Sequence, residues 1–195
     1  MTISRDSTLI DVCYAVCTAL DNIGTTVVLT GGSAATFYAP AAYQSRDADF
    51  VITMRGDASR GIEAMARLGY SQEGSVYVHE SNRYTVDFPR GPLAIGEEIL
   101  QSWATYERRG EHLHVLSRAD SVRDRLSWFY WYRDQSALAA AIAVATSGDL
   151  DLSAIREWSL RVGEAAAFEE FADRVTVRSK SHEDGVTDEE LRDLP

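Results

Sequence analysis

Lysine is almost absent from this chain of 195 residues, in which Lys180 is the only one. Lysine and arginine together number 19 against 30 aspartates and glutamates, which gives a formal net charge of −11. Proteins that grip a nucleic acid backbone usually present a basic surface, because neutralising phosphates supplies much of their affinity. A long nucleic acid partner is therefore disfavoured, although Arg108 and Arg109 form a small local basic pair.

The sequence also lacks long apolar runs. None approaches the roughly 18 consecutive apolar residues of a membrane span, and residues 1–6 do not start a signal peptide. We therefore expect a cytoplasmic protein with no membrane partner. The hydrophobic content of 45% and the charged content of 25% are ordinary for a globular protein.

Cysteine is scarce as well. Cys13 and Cys17 are the only two, and they lie four apart in a segment with helical apolar spacing. We predict two small core residues on one helix face, because the neighbouring sequence offers no His or Cys that would complete a metal or redox pair. The histidines have no ligand spacing with the carboxylates and are predicted as surface or strand residues; they are His79, His112, His114 and His182.

The most informative stretch runs from Val27 to Phe50. It opens with a short apolar run that has the length and β-branched content of a buried strand. The run stops at Gly31, Gly32 and Ser33. Two glycines let backbone N–H groups approach a ligand closely, and a helix could start at Ser33. This pattern predicts a strand, a phosphate-sized turn and a helix N-terminus.

Two carboxylates follow in the same stretch. Asp47 and Asp49 stand just before the apolar run 50–52, and the period of two in a strand puts them on the same face. Carboxylates this close repel each other unless a positive charge lies between them. Mg²⁺ is typically held by one or two carboxylates together with substrate phosphates. A glycine turn followed by a carboxylate pair therefore indicates a nucleoside triphosphate site.

These motifs resemble those of the nucleotidyltransferase superfamily, which has the DNA polymerase beta-like fold. The resemblance is carried by residues 30–33 (Thr-Gly-Gly-Ser), by residues 45–50 (Ser-Arg-Asp-Ala-Asp-Phe), and by a third carboxylate on another strand. Asp87 is the candidate for that third carboxylate, because it lies on the polar face of a predicted strand over residues 83–88. In type, the chain is most similar to the abortive-infection and toxin–antitoxin nucleotidyltransferases.

The resemblance implies a metal-dependent enzyme that moves a nucleoside monophosphate from a nucleoside triphosphate (NTP) to a hydroxyl acceptor. Asp47 and Asp49 are expected to hold two Mg²⁺ (or Mn²⁺) ions, and Asp87 to hold the catalytic ion and accept the hydroxyl proton. Gly31, Gly32 and Ser33 are expected to bind the β- and γ-phosphates through their N–H groups, the Ser33 hydroxyl and the helix N-terminus. The acceptor is an RNA end, a protein or a small molecule.

Further residues have two interpretations each. Arg125 stands where a lysine of those relatives reaches the triphosphate, but it is equally well explained by a solvated helix face. The aromatic run over residues 128–132 points in all directions of a helix, so it serves core packing, nucleobase stacking or both. Asp134 is either a helix cap or a ligand.

One departure from the resemblance keeps a second function open. Tyr43 stands where many active relatives carry a basic residue. The alternative is a catalytically inactive protein of the same fold that acts as a binding or antitoxin-type partner of another protein. A third interpretation keeps the chemistry and makes the acceptor a small-molecule antibiotic. The sequence does not identify the acceptor or the NTP.

The alternation of strand and helix patterns predicts an α+β fold. We expect a mixed β-sheet flanked by helices over residues 1–117, which would be the nucleotidyltransferase domain. A small C-terminal helical domain is expected over residues 118–177. Residues 178–195 have low apolar content and many charges, and are expected to form a flexible acidic tail.

Overall fold

A computed structural model describes residues 2–183 of the chain. The helices are α1 (Leu9–Asp21), α2 (Gly31–Tyr38), α3 (Ala58–Arg67), α4 (Arg118–Tyr132), α5 (Gln135–Thr146), α6 (Ser153–Arg161) and α7 (Ala165–Glu183). The strands are β1 (Thr26–Leu29), β2 (Asp47–Met54), β3 (Tyr70–Glu73), β4 (Val76–His79), β5 (Thr85–Asp87), β6 (Ala94–Ile95), β7 (Glu98–Ile99), β8 (Ala104–Arg108) and β9 (Glu111–Val115). Within the described range, no helix is both long and apolar enough to cross a membrane.

The main sheet has the strand order β3-β4-β5-β2-β1-β9-β8. The pairs β2–β5 and β1–β9 are parallel, and the other neighbours are antiparallel. Strands β6 and β7 form a separate two-stranded ribbon. The predicted α+β class with a mixed sheet is therefore confirmed.

Helix α1 packs against the centre of the sheet and carries the predicted apolar face. Thr8 and Asp11 form a capping box, in which each side chain bonds the backbone N–H of the other residue. Cys13 and Cys17 are both buried, as predicted. Since α1 contacts β1 and β9, this helix covers the middle of the sheet.

The C-terminal third of the described chain is helical, as predicted. Helices α4 and α5 pack against each other and against α2, and the hydroxyls of Tyr130 and Ser159 lie 2.8 Å apart, which joins α4 to α6. The domain boundaries near residues 117 and 177 stay predictions. Helix α7 continues to Glu183, and the rest of the predicted tail, residues 184–195, lies outside the described residues.

The structure contains elements that the sequence pattern did not predict. Strand β3 and the ribbon β6–β7 have few buried apolar side chains: in β3 only Tyr70 is buried. Strands without an apolar face give no periodic signal. Helix α2 also begins at Gly31 rather than near Ser33, with the first glycine at a φ of +65°.

A single buried amide fastens the N-terminal segment to the sheet. The Asn82 side chain donates to the carbonyls of Ser4 (2.7 Å) and Ser7 (3.0 Å) and accepts from the Tyr84 N–H (2.9 Å). We predict that Asn82→Ala lowers the free energy of unfolding by about 1–3 kcal/mol, because the buried Tyr84 N–H and the carbonyls of Ser4 and Ser7 lose their partner. Urea unfolding measures this.

The matched control for this prediction is Asn22→Ala. Asn22 is exposed at the C-terminal cap of α1, so its replacement is expected to change the free energy of unfolding by less than about 0.5 kcal/mol. Equal effects of the two substitutions would contradict the assignment of a fastening role to Asn82.

Candidate active site

The parallel pairing of β2 with β5 brings the predicted carboxylates together. In this register Asp47 pairs with Thr85, and Asp49 lies directly beside Asp87. Asp47 and Asp49 are two residues apart on β2, so they share a face of the sheet. Asp47 also accepts a hydrogen bond of 2.8 Å from the Ser45 hydroxyl. Three carboxylates therefore meet on one face of two neighbouring strands.

The electrostatic consequence is visible at Asp49. Burial of this carboxyl, together with the negative charges of Asp47 and Asp87, raises its pKa to about 6, while Arg125 opposes the rise. Asp124 adds another contribution in the raising direction. Such a group is ready to receive a cation, because a positive ion would remove the repulsion that disfavours the carboxylate.

The glycine turn lies against this same carboxylate. A Cβ atom built on Gly31 would stand only 2.7 Å from Oδ2 of Asp49, and the φ of +65° also requires glycine there. The Thr30 side chain does not cap helix α2; its hydroxyl donates to the Asp49 carbonyl instead. The N–H groups in the first turn of α2 therefore begin immediately beside the carboxylates.

The Ser33 side chain forms hydrogen bonds within the glycine turn. Its side chain is fully buried, and its hydroxyl donates to the Thr30 carbonyl (2.8 Å) and accepts from the Asp49 N–H (3.1 Å). The Thr30 N–H donates in turn to the Asp49 carbonyl at 2.9 Å. These bonds hold β2 against the start of α2 and orient Asp49. The Ser33 hydroxyl, predicted as a phosphate ligand, is thus engaged within the protein.

Arg125 reaches the site from helix α4. Its Nε and Nη2 atoms both bond Oδ2 of Asp124, at 3.0 and 2.8 Å, and the side chains of both residues are largely buried. Arg125 also lowers the pKa of Asp49, which a cation pointing to bulk solvent would do only weakly. Of the two interpretations of Arg125, the structure therefore favours a residue of the cleft.

The aromatic run divides between core and cleft. Phe129 and Tyr130 are buried, whereas Trp128 is 47% exposed and lies beside Arg125, with the guanidinium 6.0 Å from the ring centroid. Asp134 caps helix α5 by accepting from the N–H groups of Ser136 and Ala137. The cap interpretation of Asp134 is thus confirmed, although this residue also borders the cleft.

These residues enclose one cleft of about 490 Å³. Among the predicted site residues, Gly31, Asp49, Asp87 and Arg125 line it. Asp47, Gly32 and Ser33 adjoin these residues in the chain but do not line the cleft. A volume of this size lies within the range usual for small-molecule sites.

Sequence reasoning did not anticipate two polar residues of the cleft, Asp124 and Arg90. Asp124 adds a fourth carboxylate near Asp49 and holds Arg125. Arg90 belongs to no motif, and the sequence signal for Asp124 was its position next to Arg125 in the segment 116–126. Their place in the cleft follows from the way α4 and the segment after β5 fold over the sheet.

Comparisons with known proteins add a structural likeness. The chain matches no protein-family model and no curated protein. It is similar in structure to the antibiotic-resistance factor ANT(2'')-Ia, known from a solution structure, with a TM-score of 0.45 and 11% sequence identity over 90% of this chain and 96% of that chain. A score and an identity this low assign neither family nor activity, so the site is judged on its own residues.

The raised pKa of Asp49 predicts a pH-dependent stability. In the metal-free protein its pKa of about 6 lies above the value of about 3.9 in an unfolded chain. The neutral carboxyl therefore stabilises the fold below pH 4, and this contribution is lost as the pH rises through 6. The full loss is roughly 3 kcal/mol. We predict that Asp49→Asn raises the free energy of unfolding at pH 7.5 relative to wild type.

Urea unfolding in a chelator at pH 4.5 and 7.5 measures this effect. The advantage of Asp49→Asn over wild type is expected to be about 2 kcal/mol larger at pH 7.5 than at pH 4.5. The control is Asp173→Asn on the exposed face of α7, which is expected to show no such pH dependence. An equal pH dependence of the free energy of unfolding in wild type and Asp49→Asn would contradict the raised pKa of Asp49.

Proposed function

We propose that the chain is a metal-dependent nucleotidyltransferase that moves a nucleoside monophosphate from an NTP to a hydroxyl acceptor. The observation that carries the proposal is the position of the glycine turn. A Cβ atom on Gly31, the residue that begins α2, would stand 2.7 Å from Oδ2 of Asp49. Asp49 lies beside Asp87 in the strand register, and the charge of Asp47 raises its pKa. Donors for phosphate oxygens and ligands for a divalent cation are therefore adjacent, as a bound metal–triphosphate complex requires.

The three carboxylates fit Mg²⁺ or Mn²⁺. They are hard oxygen ligands, and the repulsion that raises the pKa of Asp49 is relieved when a cation is present. When bound, the ions supply charge neutralisation for the attacking and leaving oxygens of phosphoryl transfer. In this proposal Asp47 and Asp49 hold both ions, and Asp87 holds one of them.

Residues of this chain have distinct tasks in the transfer. The N–H groups of Gly31, Gly32 and Ser33 bind the β- and γ-phosphates, and the Ser33 hydroxyl keeps Asp49 oriented. Arg125 exchanges part of its contact with Asp124 for a triphosphate oxygen, since a guanidinium can serve two acceptors. Asp87 accepts the proton of the attacking hydroxyl.

Trp128 is the proposed platform for the nucleobase. Its ring is half exposed, lines the cleft and adjoins Arg125. Stacking of a base on an aromatic ring tolerates any base, because every base has a π-face. This arrangement supports binding of NTPs without singling out one of them.

A further segment bears on the biological setting of the reaction. The segment over residues 116–126 resembles abortive-infection and toxin–antitoxin relatives, which supports a toxin–antitoxin or phage-defence role with a protein partner. The acidic balance of the chain makes a long RNA acceptor less suitable than a protein or a small molecule. A cytoplasmic location of the protein is consistent with an NTP substrate.

One observation favours the alternative, an inactive binding or antitoxin-type protein. Arg125 is already neutralised by Asp124, and the Ser33 hydroxyl is already bonded within the turn. The two side chains predicted to bind a triphosphate thus already have partners within the protein. Nucleotide binding and nucleotide transfer therefore have to be measured separately.

We predict that the wild type binds NTPs only with Mg²⁺ or Mn²⁺ present. Asp47→Asn/Asp49→Asn is expected to lower this affinity by more than about tenfold, because the ligands of the cation lose their charge. Isothermal titration calorimetry with ATP, CTP, GTP and UTP measures it. The control, Glu157→Gln/Asp173→Asn, removes the same charge from exposed positions and should leave binding unchanged.

Transfer is tested by incubation with labelled NTPs and a cell extract, followed by a search for label in RNA, protein and small molecules. We expect labelling with the wild type and none with Asp87→Asn. Absence of NTP binding would overturn the proposal. Binding without label in any fraction would favour the inactive alternative.

We further predict that Trp128→Ala weakens NTP binding by about 5- to 150-fold, the equivalent of losing 1–3 kcal/mol of stacking. The matched control is Trp131→Ala. Trp131 is equally exposed but packs on Gly96 in the turn between β6 and β7, so its loss should not change NTP affinity. Equal effects of the two substitutions on calorimetric affinity would refute the platform assigned to Trp128.

A further inference from the structure

A second group of ligand-type side chains lies at the other end of β1 from the glycine turn. Cys17 and Asp21 are one turn apart on α1, and His112 and His114 are two apart on β9, so each pair shares a face. The Cys17 Sγ and one ring nitrogen from each histidine lie within 4.8 Å of one another. The Asp21 carboxylate oxygens approach Nε2 of His112 (3.2 Å) and of His114 (3.8 Å). Sequence reasoning expected no histidine partner for Cys17, and the fold supplies two.

Neighbouring hydrogen bonds hold these side chains in place. The Thr18 hydroxyl donates to the His112 carbonyl (3.1 Å) and accepts from the His112 N–H (2.9 Å), which clamps α1 to β9. The His114 N–H donates to Cys17 Sγ at 3.3 Å. The helix and the strand are thus joined at the level of the cluster.

Hydrogen bonds from neighbouring side chains orient His114 and Asp21, as such bonds orient the ligands of metal sites. The Thr105 hydroxyl bonds Nδ1 of His114 at 2.9 Å, which leaves Nε2 of that ring turned toward Asp21. The Thr26 hydroxyl donates to Oδ1 of Asp21 at 3.1 Å. Hydrogen bonds of this kind, from a second set of residues to the ligands, fix the tautomer and the direction of ligating groups.

One atom of the cluster lacks a satisfactory partner. Nε2 of His112 is buried, and no described residue gives it a hydrogen bond of proper geometry. Oδ2 of Asp21 lies 3.2 Å away, so the two groups are close without being aligned. A buried polar atom without a hydrogen bond is rare and destabilises the fold. A ligand between the side chains would satisfy it.

We propose that Cys17, Asp21, His112 and His114 form a structural zinc site. A thiolate, two imidazoles and a carboxylate suit Zn²⁺ and not Mg²⁺ or Ca²⁺, which prefer oxygen ligands. Zn–S and Zn–N distances of about 2.3 and 2.0–2.1 Å place the ligand atoms of a tetrahedron roughly 3.5 Å apart. Side-chain rotation that moves the ligand atoms of Cys17, His112 and His114 inward by about 1 Å would bring them to this separation. Asp21, which already lies beside both imidazoles, would supply the fourth ligand. Binding releases the Cys17 thiol proton to solvent.

Such an ion would tie α1 to β9 across the sheet. The site is closed, with four protein ligands and no open position, as in structural zinc sites. It is separate from the carboxylates of the cleft, which lie beyond the opposite end of β1. Zinc binding at this site therefore does not depend on whether the cleft transfers nucleotides.

The test begins with the full chain, stripped of metal and then dialysed against Zn²⁺ or Co²⁺. Elemental analysis is expected to find one Zn²⁺ per chain that resists dialysis. The Co²⁺ form is expected to show strong visible bands of a tetrahedral ion and a near-ultraviolet thiolate charge-transfer band. Cys17→Ala should abolish the charge-transfer band. His112→Gln and His114→Gln should each lower Zn²⁺ affinity by more than about tenfold.

The matched control is Cys13→Ala. Cys13 is a buried cysteine one turn earlier on α1, so its replacement should keep the thiolate band and the bound zinc. Asp47→Asn/Asp49→Asn should keep them as well, which would separate this site from the cleft.

Several outcomes would overturn the proposal. They are the absence of retained zinc in the wild type, a thiolate band that survives in Cys17→Ala, and loss of the band in a folded Cys13→Ala. If Cys17→Ala does not fold, the histidine variants decide, since His112 and His114 lie at the partly exposed side of β9. Unchanged zinc affinity in both histidine variants would also overturn it. The melting temperature provides a second measurement: zinc should raise it in wild type and not in these variants.

Discussion

The parallel hydrogen bonding of β2 to β5 is the interaction on which the rest of the candidate site depends. It sets Asp49 beside Asp87, although the chain passes through α3, β3 and β4 between them. The antiparallel pairing of β1 with β2, with Leu29 opposite Phe50, then brings the end of β1 to the beginning of β2. The glycine turn that follows β1 must therefore meet the carboxylate that precedes Phe50. Two pairings thus build the whole cleft floor.

This arrangement has an electrostatic cost. Burial and like charges raise the pKa of Asp49, and Arg125 compensates only in part because it is shared with Asp124. The sheet beneath is well packed: Leu29, Phe50 and Val86 are fully buried. A well-packed core offsets the cost of holding like charges close together, and such a loss of stability is common at functional sites. Binding of a cation would relieve the repulsion between these carboxylates.

Strand β1 links the candidate cleft and the proposed zinc site. Its C-terminal end leads into the glycine turn, and its N-terminal end supports the cluster of Cys17, Asp21, His112 and His114 through the Thr26 bond to Asp21. The parallel neighbour of β1 is β9, which carries both histidines. An ion that fastens α1 to β9 would therefore hold the neighbours of β1 and, through them, the floor of the cleft.

The sequence by itself indicated most of the local elements, and the glycines and three of the carboxylates of the candidate site. Period two placed Asp47 and Asp49 on one face of a strand, glycines marked the turn beside them, and Asp87 was located on the polar side of its strand. Only the tertiary structure decided which side chains from distant segments meet. The register that sets Asp49 beside Asp87, the approach of Asp124 from α4, and the meeting of Cys17 with His114 join parts of the chain far apart in sequence. Local periodicity reports which face of an element is apolar; the packing of whole elements over one core determines which polar faces meet.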